Sequence, residues 1–420
     1  MDTVTDRRWD AYHVFLITSA AIALFQSLIF TVNLLFQVER VGLNALQLVL
    51  VGTALEGAAF IFEIPTGVVA DVYSRRLSII IGNLIMGVGL MLYAVPDFAT
   101  LLLASALWGL GYTFTSGATQ AWLADELGDE RSGRAYLRGA QLAQAGVIVG
   151  TLAAIALGQW RLNLPIVLGG AGFIVLAIFQ VLVMPERGFS PTPRAERETW
   201  AEMRGAFLAG TRLVRARPIL LTIIAIELVH GAYSEGYDRL WTAHLVRDIH
   251  VPAVGGYPSI VWIGSIELLI ALLAMGATQL ALRHIDTTRH TPLTRALVAL
   301  EGVLIVSVLG FALVGSFWVA AGCLIVVSLM RELLDPLKAA WTNQSLEPRV
   351  RATVFSMTSQ SNALGQIAVG PAVGAFGAAY TIRAALVLVS IILSPVLLLY
   401  ARAFGQGAVV TDADSVTAGD

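Results

Sequence analysis

Glu227 and His230 stand three residues apart inside one long apolar stretch, and Arg331, Glu332 and Asp335 fall inside another. Residues three apart share a helix face. Carboxylates, an imidazole and a guanidinium in such surroundings can form ion pairs, exchange protons or hold a charged ligand. Each needs a reason to be there, because an ionisable group at membrane depth costs about 3 kcal/mol or more. Glu56, Glu63, Glu267 and Glu301 interrupt other apolar stretches. Enzymatic chemistry has no candidates: there is no Walker A or HExxH pattern, and the six His are scattered. The single Cys323 excludes internal disulfides and a Cys-based zinc site. The chain reads as a protein that is not an enzyme and needs neither cofactor nor metal.

The elements that must position these groups are membrane helices. Of 420 residues 57% are hydrophobic and 13% charged, with a mean hydropathy of +0.75. That is too little charge to cover a soluble globule, and the long apolar runs exclude a membrane barrel, whose strands alternate. A net charge of −2 gives no basic excess for nucleic acid. A span needs about 20 apolar residues. Twelve runs qualify, near 12–36, 47–70, 77–95, 99–123, 137–159, 163–184, 218–240, 258–282, 292–314, 316–340, 352–377 and 379–402. No signal-peptide core precedes the first run, which is expected to be retained.

The predicted fold class is therefore an all-α polytopic membrane protein, with twelve transmembrane helices in two six-helix halves, 1–184 and 218–402. The polar segment 185–217 joins them, with an amphipathic helix expected around Trp200, Met203, Phe207 and Leu213. A small acidic tail, 403–420, is expected to be disordered. Basic residues crowd one side: Arg75, Arg76, Arg131, Arg134, Arg138, the seven Arg of 185–217, Arg283, Arg289, Arg349, Arg351 and both terminal regions. Only Arg40, Arg161, Arg239, Arg247 and Arg383 fall on the other, which places the termini and the joining segment in the cytoplasm. The halves are weakly alike: span four ends AWLADEL and span ten AWTNQSLEP, and Glu56 and Glu267 each lie about nine residues into their spans. Internal repeats with a substrate site near the midplane are a transporter pattern.

After span two runs Gly67-Val68-Val69-Ala70-Asp71-Val72-Tyr73-Ser74-Arg75-Arg76. This resembles the loop signature of the major facilitator superfamily, G-x-x-x-D-R-x-G-R-R, with Val72 and Ser74 as departures. The resemblance implies a secondary transporter whose loop locks the outward-open state through Gly67, Asp71, Arg75 and Arg76. Asp125, at the cytoplasmic end of span four, is the natural third member, and Asp71 can pair with Arg75 or cap a neighbouring helix. The loop between spans eight and nine, ALRHIDTTRH, has no equally good copy. Phe62 to Asp71 and Ser116 to Leu127 resemble the bacterial macrolide- and tetracycline-type efflux branch. Span four carries no Arg, and the G-P pattern of span five is missing there; Gly365, Gly370-Pro371, Gly374 and Gly377 fall on span eleven instead. Coupling ion and direction are thus left open.

By the same resemblance spans one, four, seven and ten line a cavity. Glu227 and Arg331 each lie about nine residues from the cytoplasmic end of their spans, about 13 Å deep at about 1.5 Å per residue. An ion pair between them is geometrically possible and would serve proton coupling, substrate binding or structure. Glu332 and Asp335 lie nearer the cytoplasm, while Glu56 and Glu267 are further coupling candidates. Phe25, Phe30, Trp108, Tyr112, Phe114, Tyr233 and Tyr237 suit an amphipathic organic substrate, and each also serves ordinary packing. The reading is a monomer in the lipid bilayer of the bacterial cytoplasmic membrane that exports small amphipathic molecules against entering protons. A proton-coupled metabolite importer and an uncoupled lipid-moving or sensory protein remain open beside it.

Overall fold

In a bilayer every backbone polar group must be paired within the segment, so an apolar chain of this kind spans as helices. A computed structural model describes residues 9–190, 211–212, 214–215, 217–252, 254–285, 289–344 and 351–403. The expected amphipathic helix around Trp200 and the tail from 404 onward lie outside them, as do Arg7, Arg8 and Arg349. Among the described residues there is no strand. The helices are α1 (Ala11–Phe36), α2 (Ala45–Val72), α3 (Arg75–Leu92), α4 (Phe98–Thr115), α5 (Ala118–Leu127), α6 (Asp129–Gly158) and α7 (Asn163–Val183). They continue as α8 (Pro218–His244), α9 (Ser259–His284), α10 (His290–Leu313), α11 (Phe317–Gln344), α12 (Arg351–Ala379) and α13 (Ile382–Leu393), the last resuming over 395–403.

Eleven spans among the described residues are long and apolar enough to cross a membrane, α4 and α5 together making one of them. α12 has the length but carries Thr353, Ser356, Thr358, Ser359, Gln360, Ser361, Asn362 and Gln366, which lower its hydropathy. Helix starts follow from local chemistry. Asn44 and Gln47 exchange side-chain-to-backbone hydrogen bonds of 2.9 and 3.0 Å at the head of α2. Asp97 caps α4 by accepting from the Thr100 N–H and hydroxyl, both at 2.8 Å, and these bonds hold its carboxyl below the usual range. Thr381 caps α13. Span four is not one helix. Gly117, at φ +71°, breaks it between α4 and α5. α6 begins at Asp129, eight residues before the expected 137, because its polar first turns are helical too.

The chain divides into two compact units: Met1–Arg197 with Ala253–Leu268, and Glu198–Pro252 with Leu269–Asp420. In the first, α1 lies against α6 and α7, α3 against α4 and α7, and α2 against α4. Small residues let the backbones approach: a Cβ at Gly82 would sit 2.6 Å from the Gly111 carbonyl oxygen. Asn83 donates to Gln180 at 2.9 Å, both fully buried. The start of α9 belongs here, with Gly264 against Ile155 and Ile260 against Gly158. In the second unit α8 lies against α12 and α13, and α10 against α11 and α13. Gly231 and Gly365 bring α8 and α12 into backbone contact, since a Cβ at Gly365 would press on Leu228 and Ala232.

Candidate functional site

In the first unit, three segments close on one another around the start of α3. The Ser74 hydroxyl caps that helix by accepting from the Leu77 N–H at 2.9 Å. Ser74 in turn donates to the Glu186 carboxylate, 2.9 and 2.7 Å from its two oxygens, and the Arg76 N–H donates to Glu186 Oε1 at 2.9 Å. A carboxylate at a helix N-terminus meets both unpaired N–H groups and the positive end of the dipole. Arg76 Nη2 donates to the Val181 carbonyl at 2.6 Å. Arg75 forms an ion pair with Asp125 on α5 and lies 5.8 Å from the Phe189 ring centre. The end of α5 also grips the segment after α7: Trp122 Nε1 donates to the Pro185 carbonyl at 2.7 Å, and Glu126 accepts from the Arg187 and Gly188 N–H groups.

Asp125, expected from the sequence as the third member of this group, is the acid that Arg75 meets. The head of α3 is served by Ser74 and Glu186. α2 stays helical to Val72, which places Asp71 in its last turn. Gly67 lies inside α2 with open space beside it. Glu186, Glu126 and Trp122 were not singled out from sequence. Pro185 closes the span, so the acid after it read as the start of a polar connection.

In the second unit, charged side chains form a ladder between α8 and α11. Lys338 Nζ lies 3.3 Å from Glu227 and 3.4 Å from Asp335. Asn362 donates to Glu227 at 3.2 Å and accepts from Gln366 at 2.9 Å. One rung up, both Arg331 terminal nitrogens meet both Asp238 oxygens, the second pair at 2.9 Å. The rings of Tyr233 and Tyr237 flank that guanidinium, their centres 6.0 and 5.9 Å away. Glu227 and Asp238 are eleven residues apart, three turns, and so share one face of α8; Arg331 and Lys338 are seven apart, two turns, and share one face of α11.

The Glu227–Arg331 pair that the sequence allows is therefore not formed. α11 runs on to Gln344, four residues past the expected end at 340, which moves Arg331 a further turn from that end. Lys338 takes the level of Glu227, and Arg331 meets Asp238 instead. Lys338 is the sole lysine of the chain, a signal that was legible but unused. His230, though one turn from Glu227, bonds Glu301 of α10 at 2.7 Å. Glu332 is exposed, and the Asp335 side chain is 78% exposed beside Lys338. Glu56 and Glu267 belong to the first unit, where Glu267 accepts from Thr31. There also Phe30 stacks on Trp108 with ring centres 4.5 Å apart, and Phe25 packs against Phe173.

A helical chain of these spans, with an Arg–Asp loop clamp in one unit and a ladder of intramembrane ion pairs in the other, has the make-up of a solute carrier. The family model described as Major Facilitator Superfamily matches residues 14–328, and the chain belongs to that family. It is a membrane transporter and not an enzyme. Over 357 residues it is 24% identical to an uncharacterized MFS-type transporter, YxaM, of Bacillus subtilis (strain 168), covering 84% of this chain and 86% of that one. Among solved structures it resembles the nucleoside transporter NupG, with a TM-score of 0.74, 14% identity and coverage of 94% of this chain and 100% of that one. A peptide transporter, POT, in complex with alafosfalin gives a TM-score of 0.74 at 15% identity, with 96% of each chain covered. A bacterial homolog of the human lysosomal transporter Spinster gives 0.71 at 13%, covering 93% of this chain and 96% of that one. At such identities the likeness is one of fold.

Proposed function

We propose that the protein is a proton-coupled secondary transporter that exports small amphipathic organic molecules across the bacterial cytoplasmic membrane. The observation that carries this reading is the ladder of Glu227, Lys338, Asp335, Asp238 and Arg331 on α8 and α11. Paired charge within a span is costly and marks a substrate or ion route. A ligand with an organic cation could displace Lys338 from Glu227 or Arg331 from Asp238, while Tyr233 and Tyr237 supply aromatic surface beside it. The clamp around Glu186 and Asp125 holds α3, α5 and the segment after α7 as one body, and we assign it the role of stabilising one of the two access states.

The test of export is ethidium efflux from a pump-deficient bacterial host. Cells expressing the protein should extrude this planar cation, and a protonophore should stop them. Efflux that persists after the proton gradient is collapsed would remove proton coupling, and accumulation in place of efflux would reverse the direction.

The proposal includes cytoplasmic termini and a cytoplasmic segment 185–217, motivated by the Arg asymmetry. Ser190→Cys in a Cys323→Ala background should resist membrane-impermeant thiol reagents added to intact cells, and should react once the cells are opened. Rapid labelling of intact cells would invert the topology.

A further inference from the structure

We propose that the buried His230–Glu301 pair is the site that carries the coupling proton. The proposal deepens the proton-coupled reading above and rests on it. His230 Nε2 lies 2.7 Å from Glu301 Oε1, with the two side chains 7% and 0% exposed. The second carboxylate oxygen, Oε2, is buried and makes no hydrogen bond among the described residues. By contrast Glu227 has Lys338 as a fixed cation and an Asn362 hydrogen bond, and Asp238 has a two-pronged Arg331. Each of these carboxylates faces a fixed cation. The partner of Glu301 is the imidazole, whose charge depends on a proton.

The groups around the pair come from each neighbouring helix. α8 itself presents Glu227 and Tyr233, the latter edge-on to the His230 ring with centres 5.5 Å apart. The continuation of α13 presents Tyr400, fully buried, which interacts electrostatically with Glu301, Glu227 and Asp335. The charged groups of α11, Arg331, Asp335 and Lys338, are engaged with Asp238, Glu227 and one another. From α12 the side chains beside this stretch of α8 are amides, Asn362 and Gln366.

A contact as short as the His230–Glu301 one needs a proton on the line between nitrogen and oxygen. With one dissociable proton bound, the pair is neutral overall, either as imidazolium with carboxylate or as imidazole with carboxylic acid. When that proton leaves to water, the Nε2–H tautomer still donates to the carboxylate, and the pair carries one negative charge. Burying that charge unpaired is unfavourable, so release goes with a state in which α8 or α10 admits water, and return to the closed arrangement requires a proton. Glu227, one turn earlier on α8, is 18% exposed.

The isosteric Glu301→Gln variant keeps the hydrogen bond and loses the titration. In proteoliposomes it should exchange labelled for unlabelled ethidium as the wild type does. Accumulation driven by a pH gradient should fall to the level seen without a gradient. On a pH jump the purified variant should release one proton fewer per molecule, and the pH-dependent infrared change of the wild-type pair, in the carboxyl or the imidazole ring bands, should be absent. Full gradient-driven accumulation, or an unchanged infrared difference spectrum, overturns the proposal. Should Glu301→Gln fail to fold, nitrogen-15 histidine spectra of the wild type decide, with the His230 signal assigned by its loss in His230→Asn. A His230 signal that changes with pH supports the pair, and one that is indifferent to pH excludes it. If wild-type transport ignores the gradient, the coupling reading fails, and the proton-release and infrared results still judge the pair.

Discussion

Replacing Lys338 by methionine is expected to abolish transport and to lower stability by about 3 kcal/mol, the scale for breaking a buried ion pair by removing one partner. Lys338 and Glu227 are 13% and 18% exposed, so little water is available to replace the lost cation. Asn362 donates a single hydrogen bond to Glu227, which leaves the carboxylate charge uncompensated. The double variant Glu227→Gln, Lys338→Met removes both charges and should recover most of the stability, because a neutral amide beside a thioether carries no desolvated ion. It should not recover transport if the ladder binds substrate. Thermal unfolding of the purified variants, together with ethidium flux in vesicles, separates the two effects. A stable and active Lys338→Met protein would show that the ladder has neither role.

The second large effect falls on the clamp. Glu186→Ala removes the acceptor of the Ser74 hydroxyl and the Arg76 N–H. Hydrogen bonds to a charged group contribute about 1.5–3 kcal/mol each when well buried; here the carboxylate is half-buried, and about 2 kcal/mol in total is the sensible scale after screening. That is enough to shift a two-state access equilibrium more than tenfold. Turnover should drop by about that factor while the apparent ethidium affinity changes little, and Glu186→Gln should fall between the two proteins. Unaltered turnover in Glu186→Ala would reduce the contact to a helix cap without a part in the cycle.

The sequence showed the spans clearly and the partners poorly, for reasons that differ by residue. Apolar runs of about 20 residues declare themselves, and the loop after span two declared the family. The break at Ser116–Gly117 was hidden because a glycine inside an apolar run reads equally as packing, and only its φ of +71° shows the helix ending there. The start of α6 was hidden by Arg131, Arg134 and Arg138, which suggest a loop although Glu130 and Arg134 are paired at 3.4 Å one turn apart on a helix. Glu227 and Arg331 were recognised as functional candidates but given to each other. A four-residue error in the end of α11 is one helical turn, which is the spacing that decides which cation meets which acid. The His230–Glu301 contact joins residues 71 apart in separate apolar runs, and no local pattern points from one to the other.

The most direct test of the account is ethidium uptake by acid-loaded proteoliposomes, with internal pH followed by an entrapped dye. A proton-coupled exporter should accumulate ethidium only while the interior is acid, and should dissipate that acidity in step with the cation entering. Ethidium that equilibrates at the same rate with and without the gradient, leaving internal pH untouched, would contradict it.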